Sequence, residues 1–573
     1  MLYIDHMSGE LAIYWISTLT ICAIFHEMKR SENPVTPQII SIMLLMLIMW
    51  PRQISGSKTD LERYYLQNNE IAELILLDDE ELLERVQSKT FRYFWDFAHP
   101  VSGMARERDT SGDLVTTGGS GFGVMAILVG IHRNFITRQQ GLDRIGRIVD
   151  FLGSADRFHG AWPHWMNGAT GKVIPFSPRD DGGDLVETAF MIQGLLTARS
   201  FFDSNDDAET NLRSKITDLW EDVEWNWYRK QVQPNLFWHW SPNHGFEINL
   251  PLRGWNETMI AYILGIGSPT HPLPRNTYHN GWAGQNYENG NTYYGLKLEV
   301  GRKTGGPLFF THYSFLGFDP RGKRDDYANY FFQNQNQTLI NRAYCMDNPG
   351  NFAGYGPDCW GLTASDDPFG YSAHAPDLST DNGTITPSAA ISSIPYTPVE
   401  SIRVVRHFLE TYGERIWGEY GFHDAFNPSQ GWFATSYLAI DQGPIICMIE
   451  NHRSQLLWNH FMQNEEVIIA LEKIGFTQDD ATTSIPDYDD RNTIDIFPNP
   501  THSGLHLSFA RLEKKPLRII LSDYQGKIVM EESYNSTSDQ VYLELSSDIT
   551  PGLYILKIDT YYRTYFENIV INL

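Results

Sequence analysis

DLVETAFMIQGLLTARSFF, residues 184–202, decides the fold class. Its apolar residues Leu185, Ala189, Ile192 and Leu196 recur at the 3.6-residue period of a helix. The same period returns in LLERVQSKTFRYFWDFA (82–98), GLDRIGRIVDFLGSA (141–155), VESIRVVRHFLETYG (399–413) and PIICMIENHRSQLLWNHFMQ (444–463). No strand alternation of comparable strength interrupts them, although 236–250 and 292–300 have the composition of local hairpins. Residues 80–475 therefore read as all-α, with long Gly- and aromatic-rich loops between helices. Paired helices with alternating short and elaborate connections predict an α/α barrel, an inner ring of helices inside an outer one. Inner helices of such a barrel run one way, so their N-termini share one mouth. Candidate inner helices begin after Thr116-Thr117-Gly118-Gly119-Ser120-Gly121, Asp181-Gly182-Gly183, Arg253-Gly254-Trp255 and Asp441-Gln442-Gly443-Pro444. Polar groups at those starts converge although they are far apart in the chain. The glycines at 118–123 do not spell GxGxxG and no strand precedes them, so they read as close packing rather than a dinucleotide site.

The two ends read as addresses. Residues 1–57 form an N-terminal extension with a signal peptide: the apolar run IISIMLLMLIMW (39–50) follows Lys29 and Arg30, and small residues for cleavage lie within Gln53–Ser57. A second apolar run at 11–25 points to Met28 as the true start; the rival reading is a membrane anchor there. Thr477–Asn492, rich in Asp, Thr and Ser, reads as a linker. From 493 to 573, alternating segments such as LHLSF, LRIILSDY, QVYLEL and GLYILKI predict a small antiparallel β-sandwich. With IDIFPNPTHSG, SDYQGKIV and ITPGLYILKI, this tail resembles the C-terminal sorting domain of the Bacteroidetes type IX secretion system. The resemblance implies type IX machinery as a partner and a secreted or cell-surface product. A carbohydrate-binding sandwich is the alternative, but its exposed aromatics are too few and unpatterned.

The 573 residues carry a net charge of −26, which repels phosphate backbones and disfavours nucleic acid. Anionic polysaccharides are disfavoured for the same reason, and a neutral glycan fits better. Aromatic content of 13%, with 16 Trp and 29 Tyr, exceeds what a core alone demands and suits stacking on sugar rings. Cys22 lies in the N-terminal apolar region; Cys345, Cys359 and Cys447 match no zinc spacing, and only a Cys345–Cys359 bridge is conceivable. His164, His239, His244, His312, His374 and His423 are scattered, with no HExxH, and read as hydrogen-bonding or core residues. No GxSxG elbow occurs. No cofactor and no metal is implied.

The chemistry lies in carboxylates at helix starts. Glycoside hydrolysis needs one protonated carboxyl for the leaving oxygen and one ionised carboxylate for water or for nucleophilic attack. Asp184 and Glu187 share a helix face. Asp184-x-x-Glu187 is also close to a capping box, in which both acids only serve backbone amides. Asp180 and Asp181 tilt the reading towards function, because four acids in eight residues exceed one cap's needs. Glu257 follows Arg253, Trp255 and Asn256; a tryptophan-walled pocket raises a carboxyl pKa, which makes Glu257 the general-acid candidate. Asp441, before Gly443-Pro444 with proline at the first helical position, is a cap or the base. Asp358, Asp366, Asp367 and the YGFHDAFN stretch (420–427) supply further polar candidates. Loop tryptophans Trp162, Trp165, Trp238, Trp240, Trp255, Trp360 and Trp432, about half of them read as core, supply the candidate sugar contacts with Asp180, Asp181 and Arg253.

The pieces TTGGSGFG, WPHWMNG, DDGGDLVETAFMIQGLL, LRGWNETMIAYILGIGSPTHPL, GGPLFFTHYSFLGFDPRG, WGLTASD, YGFHDAFN and DQGPIICMIENHRS, in order over about 90–465, resemble the glucoamylase-like domain of glycoside hydrolase family 144. The resemblance implies an (α/α)6 toroid that cleaves β-1,2-glucan with inversion and releases sophorose or short sophoro-oligosaccharides. It implies that Asp184, Glu187 and Glu257 are the essential acids. It leaves the base open among Asp184, Glu187 and Asp441. Rival readings are a toroid hydrolase for β-1,3- or α-linked glucan, and a non-catalytic glycan-binding protein. A polysaccharide lyase would need basic cleft residues. Endo or exo action depends on whether loops 268–310 and 344–385 close one end of the cleft.

Overall fold

The computed structural model describes residues 67, 70–479, 494–509, 517–523, 527–534, 540–546, 548–559 and 564–572. The signal peptide and extension (1–57), the start at Met28 and linker residues 480–492 lie outside the described residues. After a helical stretch over 70–76, helices follow in order: α1 (Asp79–Trp95), α2 (Thr117–His132), α3 (Arg138–Ser154), α4 (Leu185–Phe201), α5 (Asp207–Glu221), α6 (Met259–Gly267), α7 (Tyr330–Asp347), α8 (Pro387–Ile391), α9 (Pro398–Ile416), α10 (Ala439–Arg453), α11 (Leu456–Phe461) and α12 (Glu465–Ile474). Short polar side chains start several of them by accepting free backbone amides: Asp78 for α1, Asp184 for α4, Asp206 for α5 and Asn329 for α7. Thr137 and Gln140 form a full capping box on α3.

The helices fall into two kinds. Helices α2, α4, α6 and α8 are buried around nearly their whole circumference, and α10 over most of its length. Helices α1, α3, α9 and α12 are amphipathic, with one buried and one solvated face. Helix α2 packs between α4 and α10, α4 against α6, and α8 against α10; α1 covers α2 and α10, α9 covers α8, and α12 covers α6. The helical period read in 184–202 is present, but α4 buries all its faces rather than one. Between α6 and α7 the chain turns through two 3-10 segments, Leu308–Thr311 and Tyr313–Phe315, instead of a regular helix.

The glycines at 118–123 lie inside α2, not in a loop before it, and they set how closely α2 meets α4. A Cβ on Gly121 would lie 2.4 Å from the Phe190 carbonyl oxygen, and one on Gly194 would lie 2.2 Å from the Gly121 carbonyl oxygen. Both obstacles are backbone, which cannot swing aside. Gly194→Ala is therefore expected to lower stability by about 2 kcal/mol or more, despite alanine's better helix propensity. An unchanged denaturation midpoint would contradict this crossing. Pro444 is also inside its helix rather than at the first position, because α10 begins at Ala439.

Two short pairings shape the mouth. Gly183–Asp184 pairs antiparallel with His239–Trp240, and Leu236–Phe237 pairs with Pro251–Leu252. Residues 236–252 thus close on themselves as a local antiparallel pairing, with the Trp238 amide also donating to the Leu250 carbonyl, and Thr292–Tyr293 pairs with Leu296–Lys297. Thr477–Gln478, read as the start of the linker, pairs with Lys323–Arg324 and belongs to the helical domain. Cys345, Cys359 and Cys447 are buried free thiols, so no Cys345–Cys359 bridge is present.

The C-terminal segment is strand-rich. Ile494–Phe497, Gly504–Phe509 and Gln540–Glu544 form one antiparallel sheet. Ile528–Tyr534, Leu517–Asp523, Gly552–Asp559 and Thr564–Ile571 form another, in that order. Leu505, Leu507 and Leu543 from the first share an apolar cluster with Ile519, Leu521, Leu556 and Ile569 from the second. Among the described residues, no helix is long and apolar enough to cross a membrane.

Candidate active site

Asp184 is fully buried and holds the start of α4 in place. Its Oδ1 accepts the amides of Val186 and Glu187, each at 2.9 Å. Its Oδ2 accepts His164 Nδ1 and Trp238 Nε1, each at 2.9 Å. Both oxygens therefore carry two donors. The capping half of Asp184-x-x-Glu187 is real, but Glu187 does not return to the Asp184 amide, which donates to the Trp162 carbonyl. Glu187 instead crosses to the start of α2, where Gly118 N–H donates to its Oε2 at 2.6 Å and the Thr116 hydroxyl at 3.2 Å. A Cβ at position 118 would fall 2.7 Å from that oxygen, so the glycine makes room for the carboxylate.

Charge in this corner is balanced by one histidine. Burial pushes the Glu187 carboxyl up, the nearby His164 cation lowers it and Asp184 raises it again. For His164 burial opposes the charged form, but Glu187 and Asp184 outweigh it and push the pKa up to about 9. His164 is thus an imidazolium at neutral pH, wedged between two carboxylates.

Glu257 sits just before α6. Asn256 accepts the Thr258 amide at 2.9 Å, and the Ser314 hydroxyl donates to the Glu257 carbonyl while accepting the Ile260 amide at 3.0 Å. Ser314 of the second 3-10 segment thereby fixes this turn. The Glu257 side chain is only 9% exposed. Burial pushes its pKa up to about 7, against its own backbone N–H, and the charges of Asp184 and Glu187 add to the rise. Asp184, Glu187 and Glu257 therefore sit within one electrostatic neighbourhood.

Asp441 belongs to a second acidic group, from α10 and the loops before α8 and α10. Asp441 and Asp424 are both buried, and their titrations are tied to one another. Burial, then Asp424, raises Asp441 well above the usual range; burial, then Asp366, pushes Asp424 up to about 7. The Asp366 amide donates to Asp424 Oδ2 at 2.7 Å, while its own carboxylate accepts Arg108 at 3.2 Å and the Ser436 hydroxyl at 2.6 Å. Tyr313 links the two groups: beyond burial, its hydroxyl is raised by Asp441 and by Glu257.

The candidate sugar contacts divide. Trp165 and Phe176 pack edge-on, 4.7 Å between ring centres, and Phe176 lies 4.3 Å from His164. His164, Phe176, Arg179, Asp180, Trp238 and His239 line a cleft of about 800 Å³. Arg253 is exposed in a second cleft of about 430 Å³ that shares Trp238 and Leu250 with the first. Trp162 and Trp360 are not available to a ligand: both are fully buried core, and Trp162 donates to the Leu152 carbonyl. Trp255 is also largely core; its N–H donates to Gln337 at 2.7 Å and its ring stacks on Tyr330, leaving only an edge on the second cleft. Asp181 is engaged by Ser241 and Asn243, holding a loop rather than facing the cleft. Trp432 lies half-buried in a hairpin opposite Asn427 and lines neither cleft. Asp358 lines neither cleft, and Asp367 holds the turn at 367–370 and Asn382.

The sequence reading gave His164 no role in the site and missed Tyr313; Trp238 stood among the loop tryptophans and Asp424 among the polar candidates of 420–427. His164 lies in WPHWMNG and Asp424 in YGFHDAFN, yet nothing local marks which of several polar residues turns inward. His239, with Nε2 3.0 Å from Asp180 but out of line for a hydrogen bond, was likewise read as an ordinary histidine.

Comparisons with known proteins identify the chain's relatives. A family model described as "Putative glucoamylase" matches residues 249–465, and one described as a secretion system C-terminal sorting domain matches 495–572. The exo β-1,2-glucooligosaccharide sophorohydrolase (non-reducing end) of Parabacteroides distasonis is 48% identical over 419 residues, covering 70% of this chain and 58% of that protein. The chain thus spans little more than half the length of that curated relative. A Bacteroides uniformis crystal structure carrying the same glucoamylase description is 56% identical, with 70% of this chain and 98% of that chain covered at a TM-score of 0.69. The endo-β-1,2-glucanase of Chitinophaga pinensis, solved with sophorotriose and glucose, is 50% identical, with 70% and 99% covered at a TM-score of 0.69.

Proposed function

The chain belongs to the glucoamylase-like family of β-1,2-glucanases, glycoside hydrolase family 144, and on that premise we propose that it is a secreted glycoside hydrolase cleaving β-1,2-glucan with inversion. The sorting domain marks it for export by type IX secretion to the cell surface or beyond. The proposal includes an (α/α)6 toroid over 80–475 and an antiparallel β-sandwich over 493–573.

The observation that carries the reading is Glu257, a buried carboxyl whose pKa is pushed up to about 7 beside Asp184 and Glu187. It keeps a proton for the glycosidic oxygen as the bond to C1 breaks. Water attacks the opposite face of C1 and gives its proton to a carboxylate. Inversion places acid and base about 6.5–9.5 Å apart, with water between base and sugar. We assign the base to Asp441. Asp184 has no idle oxygen, and Glu187 is held against the α2 start beside an imidazolium. Asp441 and Glu257 both act electrostatically on Tyr313, and the Asp441–Asp424 pair, sharing one proton, takes up a second from water. The pair then holds two protons where it held one. Asp184, His164 and Glu187 position the mouth. Phe176, Asp180 and Trp238 bind glucosyl units in the larger cleft, with Trp165 packed edge-on against Phe176.

Product analysis on linear β-1,2-glucan over time tests this. Sophorose or short sophoro-oligosaccharides are expected, with the α-anomer appearing first by NMR. Release from β-1,3- or α-glucan but not β-1,2-glucan would overturn the linkage. A β-anomer appearing first would overturn inversion.

A further inference from the structure

A two-stranded hairpin carries Asp366 of the second acidic group. Ala364–Asp367 pairs with Gly370–Ala373, with Asp366 opposite Tyr371 and Pro368-Phe369 at the tip. Directly opposed residues share a sheet face. Asp366 ties that face to Arg108 and Ser436, and its amide to Asp424. Tyr371, 50% exposed, lies within reach of the charges of Asp441 and Asp424. The tip is fixed as well: Asp367 accepts the Phe369 amide at 2.7 Å and the Asn382 amide group at 2.9 Å.

On this fixed tip Phe369 is 78% exposed, the most exposed aromatic side chain among the described residues. A lone surface hydrophobe needs no explanation. Phe369, however, has an ordered backbone and lies three residues from a carboxylate that anchors the acidic group. Phe176, 49% exposed, packs on His164, which is hydrogen-bonded to Asp184. Each acidic group thus has one exposed ring connected to it through a neighbouring residue. A glucopyranose offers C–H faces to such rings, and the neutral chain suits a protein of net charge −26.

We propose that hairpin 364–373 is a substrate platform whose Phe369 stacks on a glucosyl unit remote from the cleaved bond, and so sets a preference for longer chains. This rests on the hydrolase reading above. The test compares wild type, Phe369→Ala and Phe369→Trp on long linear β-1,2-glucan and on the shortest sophoro-oligosaccharide the wild type turns over. A single aromatic contact supports a fall of about five- to tenfold in the ratio of kcat/KM on long to short substrate in Phe369→Ala, with recovery in Phe369→Trp. A ratio equal to wild type, including equal loss on both substrates, would overturn the platform. A wild type that cleaves neither substrate would instead overturn the hydrolase reading.

Discussion

Glu257→Gln is expected to lower kcat by about 10³-fold or more while leaving the fold intact, because general-acid proton transfer typically contributes 10²–10⁴-fold. The amide matches the carboxyl in shape and cannot protonate a leaving oxygen. Glycan affinity should survive, since the clefts around Trp238 do not depend on that proton. Turnover near the wild-type rate would remove Glu257 from the acid role.

The same substitution carries a stability prediction of opposite sign. Glu257 titrates at about 7 in the folded protein, against about 4.3 for an unperturbed glutamate. Between those values the folded state binds more protons than the unfolded state, so stability falls as pH rises through that window. The loss reaches on the order of 3 kcal/mol above pH 7. Glutamine is never charged and escapes it, less the cost of burying an amide. Melting temperatures should therefore differ little at pH 4 and favour Glu257→Gln at pH 8. In the wild type, kcat/KM should decline above about pH 7 as Glu257 loses its proton, and below about pH 7 as Asp424 and Asp441 take up a second one. The resulting bell is narrow and centred near neutrality.

The helical period made the α-rich domain legible, and even its placement of carboxylates at helix starts. It did not reveal that α2 and α4 are buried all round, because the Gly121–Gly194 crossing is a property of two backbones. It missed the role of 308–315: a 3-10 turn has no run long enough to show a period, yet Ser314 and Tyr313 tie Glu257 to the rest of the mouth. Trp162 and Trp360 were misplaced for a related reason. A tryptophan in a loop segment looks exposed in sequence, and only packing shows that both fill the core. Glu257 was chosen as the acid for a pocket walled by Trp255, but that indole points to Gln337 and Tyr330. The carboxyl is raised by burial and neighbouring carboxylates instead. The Asp424–Asp441 pair was invisible because its members lie in separate motifs, joined only when α10 folds back.

Asp184→Ala and Asp184→Asn should separate the structural work of Asp184 from its electrostatic work. Alanine strands four donors: the amides of Val186 and Glu187, His164 Nδ1 and Trp238 Nε1. Losing a buried, fully used carboxylate should cost about 3–5 kcal/mol, of which the cap alone is about 1. Asparagine keeps an oxygen for the two amides, so α4 should still start in place and most of the stability should remain. Its NH2 group, however, faces two donors. His164 then loses its direct anionic partner, and its pKa should drop from about 9. The Asp184 charge that adds to the burial of Glu257 is removed outright, so the Glu257 pKa must fall. Asp184→Asn should therefore lower kcat/KM by about 10²-fold or more through the displaced mouth, and move the alkaline limb of its residual activity to lower pH. A stable Asp184→Asn enzyme with the wild-type limb would show that Asp184 is only a helix cap, and that the acid is tuned by burial alone.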